Sequence, residues 1–496
     1  MKLPRIQISV AILFFSGSAH AQFTDSLQLK IGTTATVATQ SYQPLWLIAG
    51  RFGTIADRHA DLSTHIRVSN KHTYRAKSPL YHYFLENNEV PDLYLSYALD
   101  VYNHNHLGET FIQEGNVTLN YNHWQIRAGR YEEILGEINP ELSSGSLGVS
   151  GNALPVPKVS LSVREYTDVP LTYGWVQFKG LFSHGWMGKE RLVPNTLLHE
   201  RNLYLRVGRK PFHAYAGYNR FAIWGGKHPD SGQLDNSWNA FKTVVMGRPI
   251  DDARPYTEAK EGRLGNHLGF MDFGFSFDFQ ELSLSFYHQI PFEDRSGIKP
   301  LTNPDKLMGV SIINHAENTN FSALTLEFVD TRYQSGDVKS GHDNYYNNRL
   351  YTNGWTYRGR IIGTPLFVDR NKAAIYLQED IVDAERWVVT NNRIRAFHMG
   401  IKGQMLPTLH FRTLATYTEN YGNYFNGGQF TPYKIQWYFL QELVFLHKAW
   451  TFTTGLGFDT GQLSDNFGLS LGIEYHLNSL SKSVSRLRQA YPKISP

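Results

Sequence analysis

The chain has 496 residues, no cysteine and a formal net charge of +4, to which Lys2 and Arg5 contribute two positive charges. So small an excess over this length implies no nucleic-acid partner, and without disulfides the fold must rest on burial and backbone pairing. Aromatic residues make up 14% (30 Phe, 29 Tyr, 10 Trp), and beyond the N-terminus there is no run of about 18 apolar residues long enough for a membrane helix, a combination that fits an outer-membrane barrel and a large soluble β-protein alike.

Residues 1–21 read as a signal peptide. Lys2 and Arg5 precede an apolar stretch over 8–15, and Ala19-His20-Ala21 offers small residues around a cleavage point, so the mature chain is expected to begin at Gln22. The stretch 22–61 reads as extended, with a β-rich TTATV at 33–37 and an extended 44–49. Further strands are expected at 30–40, 92–102, 116–121, 124–130, 203–208, 212–219, 282–289, 397–403, 409–418, 435–445 and 450–458.

Two segments show the strand period most clearly. In 269–279, Met271, Phe273, Phe275, Phe277 and Phe279 share one face, opposite Asp272, Gly274, Ser276 and Asp278. In 466–477, Phe467, Leu469, Leu471, Ile473, Tyr475 and Leu477 oppose Gly468, Ser470, Gly472, Glu474 and His476. A soluble sandwich also alternates, but both segments reach the roughly 9–11 residues a tilted membrane strand needs. Connections alternate in length: short near 121–124, 208–212, 279–282, 402–407 and 446–449, long at 131–157, 220–268, 290–320, 336–370 and 419–434. That asymmetry is the habit of outer-membrane barrels. Domain boundaries follow: signal peptide 1–21, barrel 22–477, and a periplasmic tail 478–496 with a short helix over 481–490.

The stretch 139–165 joins two patterns. Residues 143–153 are nearly all small (Ser143, Ser144, Gly145, Ser146, Gly148, Ser150, Gly151, Ala153), which permits close backbone approach. Pro155 and Pro157 then lead into an alternating strand at 159–163. Such a segment suits chain that lines or crosses the inside of a barrel, or a surface loop before an ordinary strand. Within it, SGSLGVSGNALPVPKVS resembles the central motif of the capsule assembly protein family Wzi. NPDKLMGVSI at 303–312 and NNRLYTNGWTYRGRIIGTPL at 347–366 are similar to the same family. The resemblance implies an all-β transmembrane antiparallel barrel of about 18 strands, with long extracellular loops and capsular polysaccharide as its partner at the cell surface. Outer-membrane lipid and the barrel assembly machinery are partners by the same token; Ser470-x-Gly472-x-x-Tyr475-x-Leu477 resembles the assembly signal of such barrels, followed here by a tail. Better-known family members carry a helical bundle near the N-terminus, whereas 22–61 here reads more like strands, so the sequence leaves open whether this chain has such a plug.

Catalytic patterns are thin. Gly468-Leu469-Ser470-Leu471-Gly472 matches G-x-S-x-G, but inside an alternating strand rather than at the sharp turn that exposes a nucleophile. His104 and His106 read as solvated loop side chains rather than metal ligands. The adjacent pairs Glu132-Glu133 and Asp251-Asp252 do not offer the facing carboxylates of a glycosidase. No cofactor, metal or enzymatic activity is therefore expected. Binding chemistry is richer. The segment 344–358 is dense in Asn, Tyr, Trp and Arg, which suit the apolar faces and hydroxyl rims of sugars, and Arg forks suit anionic polymers. Tyr345, Tyr346, Asn347, Asn348, Arg349, Trp355, Tyr357 and Arg358 are the leading candidates, with Phe221, Trp224 and Trp238 of the 220–268 connection second. The same aromatics could instead belong to an interfacial girdle or to loop packing. The expected function is a surface lectin for capsular polysaccharide; a porin or saccharide channel is the rival.

Overall fold

The computed structural model describes residues 27–75, 92–248, 264–293, 298, 303–316, 320–334, 342–377, 388–424 and 429–477. The expected signal peptide, the 478–496 tail and its helix lie outside the described residues, as do Asp251 and Asp252. Eighteen antiparallel strands form one closed sheet. They are β1 (Gln28–Ala38), β2 (Ala60–Arg75), β3 (Asp92–His104), β4 (Thr110–Tyr121), β5 (Trp124–Arg130), β6 (Lys158–Asp168), β7 (Val176–Trp186), β8 (Leu197–Arg209) and β9 (Phe212–Trp224), followed by β10 (Asn266–Asp278), β11 (Leu282–Phe292), β12 (Lys306–Asn314), β13 (Ala323–Asp330), β14 (Ile394–Leu406), β15 (Leu409–Gly422), β16 (Gln429–His447), β17 (Trp450–Gly461) and β18 (Asn466–His476). Each strand pairs with its sequence neighbours, and β1 closes the ring by pairing with β18 from Lys30↔His476 to Ala38↔Gly468. Closure leaves no open edge, so the wall's backbone is paired along a continuous ladder interrupted only by local register shifts, as between Val163 and Thr167.

The alternation seen in the sequence becomes a lipid face and a lumen face. Phe467, Leu471 and Ile473 of β18 are exposed, while Gly468 and Ser470 between them are buried. Ile31, Leu62, Ile66, Leu99, Val117 and Leu456 continue the exposed apolar band. Tyr121, Trp124, Trp175, Phe212, Phe279 and Trp450 are exposed at the short-turn end, the aromatic girdle of a barrel in a bilayer.

Strands β2, β7, β12 and β13 are not among those expected from sequence. In β7 both faces break the pattern: Leu181 is buried on the lumen side beside Lys179 and Ser183, and His184 sits among the outward residues Phe182 and Trp186. The expected connection 290–320 contains β12 and its turn. The extended reading of 44–49 is also corrected: Leu45–Ile48 is a helical turn with all four side chains buried. It is seated where β17 and β18 carry glycines, since a Cβ on Gly457 or Gly468 would come within 2.7 or 2.8 Å of Leu47. Two contacts hold the turn to the wall: Trp46 Nε1 donates to Thr416 Oγ1 at 3.0 Å, and Leu45 N donates to Asp459 Oδ2 at 2.9 Å.

The lumen is filled. The small-residue segment of the 131–157 connection runs inside the barrel, and wall side chains receive its backbone. Glu137 N donates to Asp272 Oδ2 (2.9 Å), Ser144 N to Glu327 Oε2 (2.6 Å) and Leu147 N to Gln289 Oε1 (3.1 Å). His398 Nε2 donates to Leu142 O at 2.8 Å, and Glu141 pairs with Lys402 near the short-turn end. Only small residues allow this approach: a Cβ at Gly400 would lie 2.3 Å from Leu142 O. Buried wall carboxylates and amides thus bond to backbone N–H groups, which offsets their desolvation. The long connection between β13 and β14 folds down onto this segment, and the two share one apolar core with the Leu45–Ile48 turn.

Candidate functional site

The long-loop end holds a cleft of 430 Å³ between the β1–β2 connection and residues 358–376. Ser41, Asp57, Asn152, Arg358, Asn371 and Tyr376 are among its lining residues. Asp369 builds one side. Its Oδ1 accepts from Asn371 N (2.9 Å) and Lys372 N (3.1 Å), which starts the helix Arg370–Leu377 in the manner of an N-cap. That helix presents Lys372 to Asp57 at 3.0 Å. The Tyr376 ring lies 5.1 Å from that of Tyr42. Across the cleft, Arg360 donates to Ile48 O (3.2 Å) and to Ile55 O, tying the lumen-filling chain to the outer loop. Burial raises the Asp57 carboxyl, but the Lys372 and Arg360 charges outweigh it and hold the group below the usual aspartate range. The cleft therefore presents an aromatic surface, exposed amide and hydroxyl groups, and an ion pair, Lys372–Asp57, that ties its two sides together. Below the filled lumen, a cavity of 520 Å³, with Arg164, Tyr166, Lys179 and Arg206 among its lining residues, lies toward the short-turn end.

The sequence candidates separate. Tyr345, Tyr346, Asn347, Trp355 and Tyr357 are buried, and Trp355 is fully inaccessible. Tyr345 OH donates to Asp305 Oδ2 (2.8 Å), Tyr346 OH to Leu147 O (2.5 Å), and Trp355 Nε1 to Gly148 O (2.7 Å). Asn347 closes a local pair with Val389, accepting from its N and donating to its O. Asn348 is half-buried and its Oδ1 accepts from Leu350 N and Tyr351 N. In this conformation these rings and amides serve the lumen core. Arg349 and Arg358 are exposed, and Arg358 pairs with the exposed Glu190. Of the second group, Phe221 faces the lumen 5.6 Å from Trp355, Trp224 is covered by the helix Trp238–Met246, and Trp238 is exposed on that helix. Arg358 is the one leading candidate that lines the mouth cleft; Asn371 and Tyr376, which also line it, fall in a stretch that shows no clear period in sequence.

The His and carboxylate motifs also find places. His104, expected to be solvated, is buried, with Nδ1 2.8 Å from Asp61 Oδ2 and 2.7 Å from Ser63 Oγ, because it is the last residue of β3 and turns inward. His106 is exposed as expected. Glu132 accepts from Gln113 Nε2 (2.8 Å), and Glu133 pairs with Lys158 (2.6 Å). Ser470 points into the lumen within a regular strand.

A closed 18-strand barrel with an apolar outside, a filled lumen and long loops at one end is an outer-membrane protein of the occluded kind. The chain belongs to the capsule assembly protein Wzi family, whose model matches residues 48–386. It is similar in fold to Wzi of Escherichia coli, described as an outer membrane protein involved in group 1 capsule assembly and a carbohydrate-binding β-barrel. The two are 13% identical over 92% of this chain and 85% of that one, with a TM-score of 0.54. Weaker likenesses reach OccAB4 of Acinetobacter baumannii (7% identity, 92% and 99% coverage, TM-score 0.44) and OpdL of Pseudomonas aeruginosa (9%, 91% and 98%, 0.45). No curated protein sequence matches the chain. The protein resides in the outer membrane, with the short turns on the periplasmic side and the long loops outside.

Proposed function

We propose that the protein is a non-catalytic surface lectin that holds capsular polysaccharide at the outer mouth of its barrel and so supports capsule assembly. Membership of the capsule assembly family supports the role, and the mouth cleft supplies the chemistry. Sugar rings present apolar faces to an aromatic such as Tyr376 and hydroxyls to amides such as Asn371, and the exposed Arg358 can exchange Glu190 for an anionic sugar group. One cleft binds a saccharide weakly; a repeating polymer engaging many barrels on one cell gains avidity without tight single contacts. The observation that carries this reading over a saccharide channel is the filled lumen, crossed by a segment whose backbone is bonded to wall residues on β10, β11 and β13. Assembly into the bilayer through the barrel assembly machinery, reading the last strand, belongs to the same proposal.

The test is binding of the purified, detergent-folded protein to the capsular polysaccharide of its own source. Arg358→Ala combined with Asn371→Ala removes two exposed lining side chains without touching the lumen core. Weaker binding with unchanged thermal unfolding supports the cleft. Full binding by the double variant removes the cleft from the account, and no binding by the wild type removes the lectin.

A further inference from the structure

The connection between β9 and β10 also touches the outside wall. Glu200 faces the lumen and pairs with Lys158 at 2.5 Å, and Asn219 faces it and donates to Tyr204 OH at 2.7 Å. Their sequence neighbours His199, Arg201 and Arg220 therefore face outward. The helix Trp238–Met246 lies against this outer face. It buries Ala240 and Val244 against Ala222 and Trp224, and its Phe241 ring sits edge-on to His184 and His199, 5.5 and 6.0 Å away. Ser237 caps its start, with Ala240 N donating to the Ser237 Oγ at 3.2 Å, and Gly247 ends it at φ 61°. Trp238, Lys242 and Met246, at i, i+4 and i+8, form its exposed face.

Two arginines lie beside this helix. Arg220 meets its C-terminal end, where a Cβ at Gly247 would come 2.1 Å from Nη1, so a cation sits at the carbonyl end of the helix. Arg201 is directly opposite Arg220 in the β8–β9 register, and its side chain makes no hydrogen bond or ion pair among the described residues. Arg201 also pairs in register with Phe182, four residues below the exposed Trp186 at the outer end of β7, and it is followed downward by the exposed Leu203, Leu205 and Val207. Four residues of tilted strand place Arg201 roughly 10 Å below Trp186. A guanidinium facing hydrocarbon at that depth needs a polar group within reach; among the described residues none bonds its side chain, and lipid headgroups at the outer interface can supply one.

We propose that Arg201, at the edge of the Trp238–Met246 helix, binds a phosphate group of a phosphorylated glycolipid of the outer leaflet. Charge complementarity selects this occupant. Guanidinium forks match phosphate oxygens, the exposed Lys242 and Arg248 add positive charge at the helix, and Trp238 suits the interface between acyl chains and sugar headgroups. Native mass spectrometry of the detergent-purified protein with bisphosphorylated lipid A, and with the same lipid after enzymatic dephosphorylation, tests it. The wild type is expected to retain the phosphorylated lipid at least tenfold better. Arg201→Gln is expected to bring retention down to the dephosphorylated level, and Lys210→Gln at the short-turn end to leave it unchanged. Equal retention of the two lipids by the wild type overturns the proposal whether or not the variant folds, as does undiminished retention by a folded Arg201→Gln. A lipid-independent dimer that covers Arg201 overturns it in favour of a second copy of the chain.

Discussion

Trp355 donates its indole proton to the carbonyl of Gly148 at 2.7 Å, across 207 residues of sequence. The bond joins the two loops that fill the barrel, and Gly148 is held to a hydrogen at Cα because a Cβ there would come 2.6 Å from Phe221 and 2.7 Å from Phe270. Trp355→Ala should destabilise the protein by about 3–5 kcal/mol through the cavity it leaves. Trp355→Phe should cost less, about 1 kcal/mol for the lost hydrogen bond plus a smaller packing loss. Thermal unfolding in detergent measures both; equal effects of the two substitutions would show that the ring and its bond do not act at this junction as described.

The filled lumen predicts electrical silence. The wild type in a planar bilayer should show no steady current. Removing residues 143–151, whose backbone is bonded to Glu327, Gln289 and Ile362, should produce one. A wild-type conductance of porin size would contradict the occluded barrel.

The Asp57–Lys372 pair predicts a pH window for the mouth cleft. The Asp57 carboxyl is depressed in the folded state, so its contribution is complete above the ordinary aspartate pKa of about 3.9 and is lost as pH falls through the lower folded value. The pair is partly exposed, so its worth is about 0.2–1 kcal/mol. Wild-type thermal stability and polysaccharide binding should therefore change little through Asp57 between pH 7 and 5 and fall in stronger acid. Asp57→Asn should be weaker at neutral pH and lose less on acidification. A substituted protein that follows the wild-type acid profile would exclude the pair as the cause.

Ser470 tests the absence of chemistry. It lies in a regular strand facing the lumen, and its Oγ would meet a Cβ built on Gly455 at 2.6 Å. Ser470→Ala should leave polysaccharide binding and capsule retention unchanged; loss of either without loss of fold would call for a role this geometry does not supply.

The barrel was legible where lipid and water face opposite sides of a strand. In β10 and β18 the alternation is clean and the sequence reading is correct. It fails in β7, where the filled lumen accepts Leu181 and the outer helix accepts His184, so both faces lose their contrast. It fails again at Leu45–Ile48, because four consecutive buried apolar residues fit a strand or a helical turn equally. The binding residues were harder still. Stacking on a sugar and filling a loop core call on the same side chains, and only tertiary contact shows that Trp355 and Tyr346 are committed to Gly148 and Leu147. The smallness of 143–153 was the signal that large rings would close over it. Asn371 and Tyr376 carried none, since their neighbourhood has no period and gains its place only when Asp369 caps the helix.

The most direct measurement is the affinity of the folded wild-type protein for its own capsular polysaccharide, beside Arg358→Ala/Asn371→Ala. A saturable interaction that the double substitution weakens at least tenfold, with the unfolding temperature unchanged, is the predicted result. Equal binding by both proteins would contradict the mouth cleft as the site, and no binding by the wild type would contradict the lectin itself.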